Sequence, residues 1–465
     1  MNPCNFKLSR RTFLKSAFAS AIGTSSLFSL LGRAIRVEAA EPGNEYKALV
    51  CILLEGGADV FNMIVPTQPD IHRDYRAARE GIAIDLSRLL PFTHTNTNGL
   101  NPLHYGMRRE MKAMHTLFEQ GKLSLVANVG PLATPVTAED VENGAPLPPQ
   151  LFAHNTQRAL WMMGNGRQTE KNGWAARVAD LFHHVPTPYF NVTVAGNNIM
   201  QSGGRAEPIP FSEAEVSPDT MTYYGFGPEA GGGELGTIYQ AIYEQRKDAE
   251  NRLLSTFARR RLDELERQEI LQGLFDDAET FDGFGSGVHE TGKPLGRQLE
   301  LVAKILSVRD NFPGQPRRQI FFVNHHGWDT HDSDNGHQSS YLSESLGAFQ
   351  AALEKLGLEN QVTTFTISDF GRSLTTNGAG TDHGWGGLAF VMGGAVNGGD
   401  IFGRMPALHR DSPDAWSNRM VPTTAMEEYL ATVVRWFGAT EEELDLIFPN
   451  LGSFTTRNLG FLKPA

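Results

Sequence analysis

Cysteine is almost missing from this chain: Cys4 and Cys51 are the two in 465 residues. Cys51 sits in the apolar run Ala48-Leu49-Val50-Cys51-Ile52-Leu53-Leu54 and reads as a small buried hydrophobe. With the two so placed, a disulfide framework is excluded, and stability must come from a large core or a bound metal. Basic residues are also in deficit. Lys and Arg number 41 against 53 Asp and Glu, a formal charge of −12. That balance argues against nucleic acid and against anionic membrane surfaces. No internal repeat is visible. The tripeptide Asp369-Phe370-Gly371 lacks the Gly-rich phosphate loop and His-Arg-Asp loop that would make it part of a kinase.

What is present begins at the amino terminus. Ser9-Arg10-Arg11-Thr12-Phe13-Leu14-Lys15 precedes a weakly apolar run, Ser16 to Leu31, and a small-residue stretch, Val37-Glu38-Ala39-Ala40. A basic segment, a short apolar one and a small-residue cleavage site form a secretory signal. Its paired arginines resemble the S-R-R-x-F-L-K consensus of the twin-arginine (Tat) route. The apolar run is too short and too rich in Ser and Gly to span a bilayer. Cys4 lies before the arginines, which excludes a lipoprotein anchor. The expected destination is the periplasm or the medium of a bacterium, with the Tat translocase as partner during export and no stable membrane anchor afterwards. Because this route carries folded proteins, a cofactor loaded in the cytoplasm fits it. Loss of Lys7, Arg10, Arg11, Lys15, Arg33, Arg36 and Glu38 leaves 35 basic and 52 acidic residues, a charge near −17. The expected organisation is a signal over 1–40 and one α/β domain over 41–465.

Five segments read as strands: Ala48 to Leu54, Leu123 to Val129, Gln319 to Asn324, Val362 to Ile367 and Leu388 to Met392. Their continuous apolarity suits a parallel sheet covered on both faces. Helical patterns over Tyr105 to Glu119 and Ser339 to Leu356 supply β-α-β crossovers. Pro131 to Pro149 reads as a long surface loop, and Phe281 to Pro294 as a Gly-rich connector. The charged stretch Ile238 to Phe275 reads as a helical hairpin, an excursion spanning about 235–280. The expected fold class is therefore α/β, with a mostly parallel central sheet and a helical insertion.

The chemistry gathers just beyond strand ends, where open α/β sheets hold ligands. Asn324-His325-His326-Gly327-Trp328-Asp329-Thr330-His331-Asp332 sets imidazoles beside carboxylates, a ligand set for divalent ions. Asp334 and His337 follow and could join it. Ser368-Asp369-Phe370-Gly371-Arg372 offers a carboxylate and a guanidinium able to clamp an oxyanion. Gly380-Thr381-Asp382-His383-Gly384 brings a third imidazole, suited to metal binding or general-base work. Leu54-Glu55-Gly56-Gly57-Ala58-Asp59 turns at the end of the first strand, so that Glu55 or Asp59 projects there. Phe152-Ala153-His154-Asn155-Thr156-Gln157 opens a helix whose amino terminus favours an anion.

In this order, and with Trp436-Phe437-Gly438 near the end, these stretches resemble the DUF1501 family of exported bacterial proteins. That family is similar to a branch of the alkaline phosphatase and sulfatase superfamily. The resemblance implies a three-layer α/β/α sandwich with a metal site at the strand ends. It implies a divalent ion (Zn, Mn, Ca or Mg) held by Asp59, Asp329, His331, Asp369 and His383. It places His154, Thr156 and Arg372 at the catalytic positions, with His154 or Arg372 stabilising charge and Thr156 as the hydroxyl nearby. Phe370 stands where the superfamily's Ser-Asp-His-Gly motif has its His, and Ala153 where relatives tend to have Ser. Two functions follow from the resemblance: hydrolysis of a phosphate or sulfate ester, small or polymeric, or a non-catalytic role in binding or envelope assembly.

Overall fold

The structure is a computed structural model that describes residues 45–95, 104–168, 170–182, 189–205, 208–211, 233–275, 277–284 and 295–464. The signal expected around Arg10-Arg11 and most of the connector between Phe281 and Pro294 lie outside the described residues. The chain divides into Met1–Glu45 and Tyr46–Ala465, and the second unit is described below.

The first strand is β1 (Lys47–Leu54). A small antiparallel sheet follows from β2 (Ile64–Pro66), β3 (Leu89–Thr93) and β4 (His104–Arg108). Next come β5 (Leu123–Gly130), β6 (Asn191–Thr193), β7 (Ile209–Pro210), β8 (Arg318–His325) and β9 (Val362–Ser368). A hairpin, β10 (Arg372–Thr376) and β11 (Thr381–His383), leads into β12 (Gly387–Met392). The last strands are β13 (Ile401–Phe402), β14 (Ala415–Trp416), β15 (Arg419–Met420) and β16 (Thr424–Ala425). The helices that matter below are α1 (Pro69–Arg79), α2 (Lys112–Glu119), α3 (Ala138–Glu142), α4 (His154–Met163) and α5 (Trp174–Leu181). They continue with α6 (Gly233–Arg246), α7 (Arg252–Phe275), α8 (Leu295–Ser307), α9 (Gly336–Lys355), α10 (Met426–Phe437) and α11 (Glu441–Ile447).

The central sheet has nine strands in the order β13-β5-β12-β9-β1-β8-β6-β7, with β16 beside β5. Every residue of β1 is buried, and its alternation divides two cores. Ala48, Val50, Ile52 and Leu54 face one core with α2, α8 and α9. Leu49, Cys51 and Leu53 face the other with α4, α5, α10 and α11. Period-two alternation across a doubly covered sheet thus produces the α/β/α sandwich. Cys51 is wholly buried there, and burial pushes its thiol far above the ordinary range.

Three expectations change. Leu388 to Met392 does form a strand, but β12 runs antiparallel to both β5 and β9. The reason is connection length: β11 ends at His383 and β12 begins at Gly387. A parallel return needs a crossover of about a dozen residues, so the chain re-enters the sheet from its carboxyl edge. Tyr105 to Arg108 is strand rather than helix; Tyr105 pairs with Pro66 and Phe92, and Gly106 disfavours helix. The Pro131 to Pro149 loop contains α3, started by a Thr137–Asp140 capping box.

Register places the site. Leu54 pairs with His325 on one side and Ser368 on the other, so three carboxyl ends finish level. The next residues, Glu55, His326 and Asp369, therefore share one edge.

Candidate metal centre

Three imidazoles and one carboxylate converge above that edge. His154 is the first residue of α4, Asp329 and His331 lie on the loop after β8, and His383 ends β11. The Nε2 of His383 lies 3.1 Å from that of His154 and 2.9 Å from that of His331. Asp329 Oδ1 is 3.0 Å from His331 Nε2 and 3.3 Å from His383 Nε2, and its Oδ2 is 3.5 Å from His154 Nε2. Ligands about 2.0–2.1 Å from a tetrahedral ion stand ~3.3 Å from one another, so the spacings among His154, His383 and Asp329 fit a single ion, while His331 stands beside His383 and Asp329 outside that trio.

The outer nitrogens fix the tautomers. The Phe152 carbonyl can only accept, so the 2.8 Å contact makes His383 Nδ1 the donor. His154 Nδ1 donates to Asp369 Oδ2 at 2.7 Å. His331 Nδ1 faces Asp382 Oδ1 at 3.6 Å, an ion-pair distance rather than a hydrogen bond. With Nδ1 carrying the proton, the Nε2 lone pairs of His154 and His383 point at each other. One lone pair on His383 cannot serve two neighbouring imidazoles through protons alone. A cation held by His154, His383 and Asp329 resolves that conflict, and the outer nitrogens of His154 and His383 already have the partners that metal-bound histidines usually have.

Each charge is tuned from behind. Burial works to raise the Asp329 carboxyl, but Arg372 donates to it at 2.5 Å and outweighs that, holding it below the usual range. Burial lowers the His383 imidazole, and the Phe152 carbonyl only partly opposes this, so His383 stays neutral and able to ligate. Asp369 is wholly buried and accepts from Arg158 Nε at 3.2 Å and Nη2 at 3.1 Å. Arg158 also donates to Glu55, whose other oxygen takes Asn324 at 2.6 Å and pairs with His326 at 2.5 Å. Phe370 packs its ring 4.7 Å from His154 and 4.6 Å from His383, an apolar wall.

Backbone shape does the rest. Gly56 has φ +119°, and a Cβ there would lie 2.4 Å from the Asp329 amide nitrogen. Only glycine allows the turn after β1 to touch the loop that bears Asp329. Phe152 has φ +71°, a left-handed conformation that is uncommon for a bulky residue. That twist aims its carbonyl at His383, while its ring lies 4.5 Å from the Arg419 guanidinium and stacks on Trp416.

The structure therefore sorts the expected site residues. His154, Asp329, His331 and His383 come together. Asp369 reaches the group only through His154, its oxygens being taken by that ring and Arg158. Asp59 does not join: its two oxygens accept from Arg79 at 2.8 and 3.0 Å in a buried pair. Arg372 cannot clamp an oxyanion, because Gly56, Gly57, Trp328, Thr381 and Asp329 take its donors. Thr156 turns its hydroxyl to Gln150 at 2.5 Å. Asp334 faces Arg108 and the Gly336 amide, and His337 is exposed on α9. Arg158 was missed, though its place four residues after His154 puts both on one helix face. The Phe152 carbonyl carried no sequence signal.

No curated protein matches the sequence. Among solved structures the chain is similar to Ps i-CgsB, at 9% identity over 89% of this chain and 77% of that one, TM-score 0.36. It is similar to the C-terminal periplasmic domain of EcEptC from Escherichia coli in complex with Zn, at 11% identity over 90% of both chains, TM-score 0.34. It is also similar to the PsFucS1 sulfatase from Pseudoalteromonas sp., at 8% identity over 92% of this chain and 72% of that one, TM-score 0.33. Likeness this distant carries no functional argument. Residues 314–435, which run from just before β8 into α10 and hold Asp329, His331, Asp369, Arg372 and His383, match the family model described as "Protein of unknown function (DUF1501)".

Proposed function

We propose that this chain is an exported metal-dependent hydrolase of a phosphate or sulfate ester, with the ion held by His154, His383 and Asp329 and with His331 beside them. The observation that carries the metal is the meeting of the His154 and His383 Nε2 atoms with the Asp329 carboxylate, the outer nitrogens of both rings being already satisfied. Imidazole ligands favour zinc, and secondarily manganese, over calcium or magnesium, which prefer all-oxygen sites. Bound there, the ion supplies Lewis acidity toward an ester oxygen. The residues of the chain do the remainder. Asp369 and Arg158 fix the ring of His154, Arg372 keeps Asp329 ionised, and Phe370 excludes water from one side. Asp329, 46% exposed, and His331, 44% exposed, leave the other side open to an ester. The ester class rests on the motif resemblance, and export on the Arg10-Arg11 signal.

A second reading, a metal-holding protein for binding or envelope assembly, is favoured by one observation. The start of α4 offers no free hydroxyl: Ala153 stands at the cap, and Thr156 is bonded to Gln150. Metal content after purification, read with a screen of aryl phosphate and sulfate esters, separates the two. Hydrolysis that Asp329→Ala and His383→Ala abolish supports the first. Bound metal with no hydrolysis supports the second, and no bound metal overturns both.

A further inference from the structure

The helical hairpin of α6 and α7 has an apolar face with no work in the fold. Ile238, Tyr239 and Ile242 on α6 are exposed, as are Leu253, Leu254 and Phe257 on α7. Leu253 is 83% exposed, the most exposed large apolar side chain among the described residues, and Phe257 is 54% exposed. Tyr243 joins the two rows, its ring 6.5 Å from Tyr239 and 6.0 Å from Phe257. At the base, Leu274 and Phe275 pack against the core beside the sheet, which fixes the hairpin to the body. Single exposed hydrophobes need no explanation, but a contiguous group on one element does.

The charge around that face decides what covers it. Residues 238–262 contain six basic side chains and three acidic ones, in a chain whose formal charge is −12. Arg246, Arg252 and Arg260 are exposed beside the turn between the helices. The excess is confined to this end of the hairpin, since the whole of 233–275 has seven basic and eight acidic side chains, and a second copy docked through the same end would bring like charge against like, which repels. An anionic lipid surface brings the complementary charge, and an apolar helical face with aromatic and basic flanks is the chemistry that settles into a headgroup layer. The net acidity of the chain argues against such a surface only when charge is averaged over the whole molecule.

We propose that the α6–α7 hairpin docks the protein reversibly on an anionic phospholipid surface, inserting Leu253, Leu254 and Phe257. The docking is peripheral; among the described residues no helix is long and apolar enough to cross a membrane.

The test uses the full chain carrying Cys4→Ser and Leu253→Cys, labelled at position 253 with an environment-sensitive fluorophore; Cys51 is buried and stays unlabelled. A matched chain carries the label at Leu446→Cys, an exposed position on α11. Vesicles of equal parts phosphatidylglycerol and phosphatidylcholine should shift the emission at position 253 to the blue but not at 446. Pure phosphatidylcholine should not, and roughly 1 M salt should reverse the shift, since the screening length is then about 3 Å. Replacing Arg246, Arg252 and Arg260 together by Gln should weaken partitioning on the order of a hundred-fold, about five-fold per charge. The proposal is overturned if position 253 does not respond, if 446 responds equally, or if the shift grows with protein concentration without vesicles, which would assign the face to a second copy.

Discussion

Replacing Asp369 by Asn tests the centre through a residue that does not touch the ion. The carboxylate accepts three hydrogen bonds, one from His154 and two from Arg158. An amide keeps one acceptor and adds a donor. If the amide nitrogen faces His154, Nδ1 must become the acceptor and Nε2 takes the proton, which removes it as a ligand. If the oxygen faces His154, the amide nitrogen meets the Arg158 donors, and the ring loses a charged partner. Loss of such an outer partner weakens metal affinity about 10- to 100-fold, or roughly 1.4–2.7 kcal/mol. Arg158 keeps Glu55, so the fold should survive, as a thermal melt will report. The assay is competition for zinc against a chromophoric chelator, run beside Thr156→Ala, which should bind like the parent. A folded Asp369→Asn variant with unchanged affinity refutes the argument that Asp369 orients His154. Complete loss of binding would instead put the Asp369 carboxylate on the ion, as the motif resemblance implies.

Three further outcomes follow from the geometry. Asp59→Ala leaves Arg79 charged and buried, so it should destabilise the fold by about 3–5 kcal/mol while zinc affinity in the remaining folded protein stays unchanged; reduced affinity would return Asp59 to the ligand set. Gly56→Ala forces a Cβ against the Asp329 amide, so zinc binding should weaken at least ten-fold by chelator competition, whereas Gly81→Ala, which meets nothing, should not change it. Burial pushes the wholly buried Glu427 carboxyl up to about 7, above its ordinary 4.5. The folded state then holds the extra proton between those values, so stability falls as pH rises from about 4.5 to about 7. Glu427→Gln should flatten that slope and gain on the order of 3 kcal/mol above pH 7, measured by denaturant unfolding across pH; an unchanged slope would show that another group causes it.

The docking face shows how far averaged properties mislead. A charge of −12 over 465 residues hides six basic side chains within a 25-residue stretch, because composition carries no position. Strand placement was far more legible. The apolar runs Ala48 to Leu54, Gln319 to Asn324 and Val362 to Ile367 fall in β1, β8 and β9, since strands buried on both faces must be continuously apolar. The direction of Leu388 to Met392 was hidden, because direction depends on where the preceding hairpin leaves the chain.

The sequence by itself determined which residue types stand beyond the strand ends, and so that imidazoles and carboxylates would meet at one edge. Local order fixes this: a strand, then a glycine-bearing turn, then the functional side chain. Only the tertiary structure decided which of those groups share a ligand position. Asp59 and Asp329 look equivalent as acids near strand ends, yet Asp59 is held by Arg79 from α1 and Asp329 is turned inward by Arg372. Ligand geometry is a matter of a few ångströms between segments more than a hundred residues apart, as with His154 and Asp369, and no spacing along the chain encodes it.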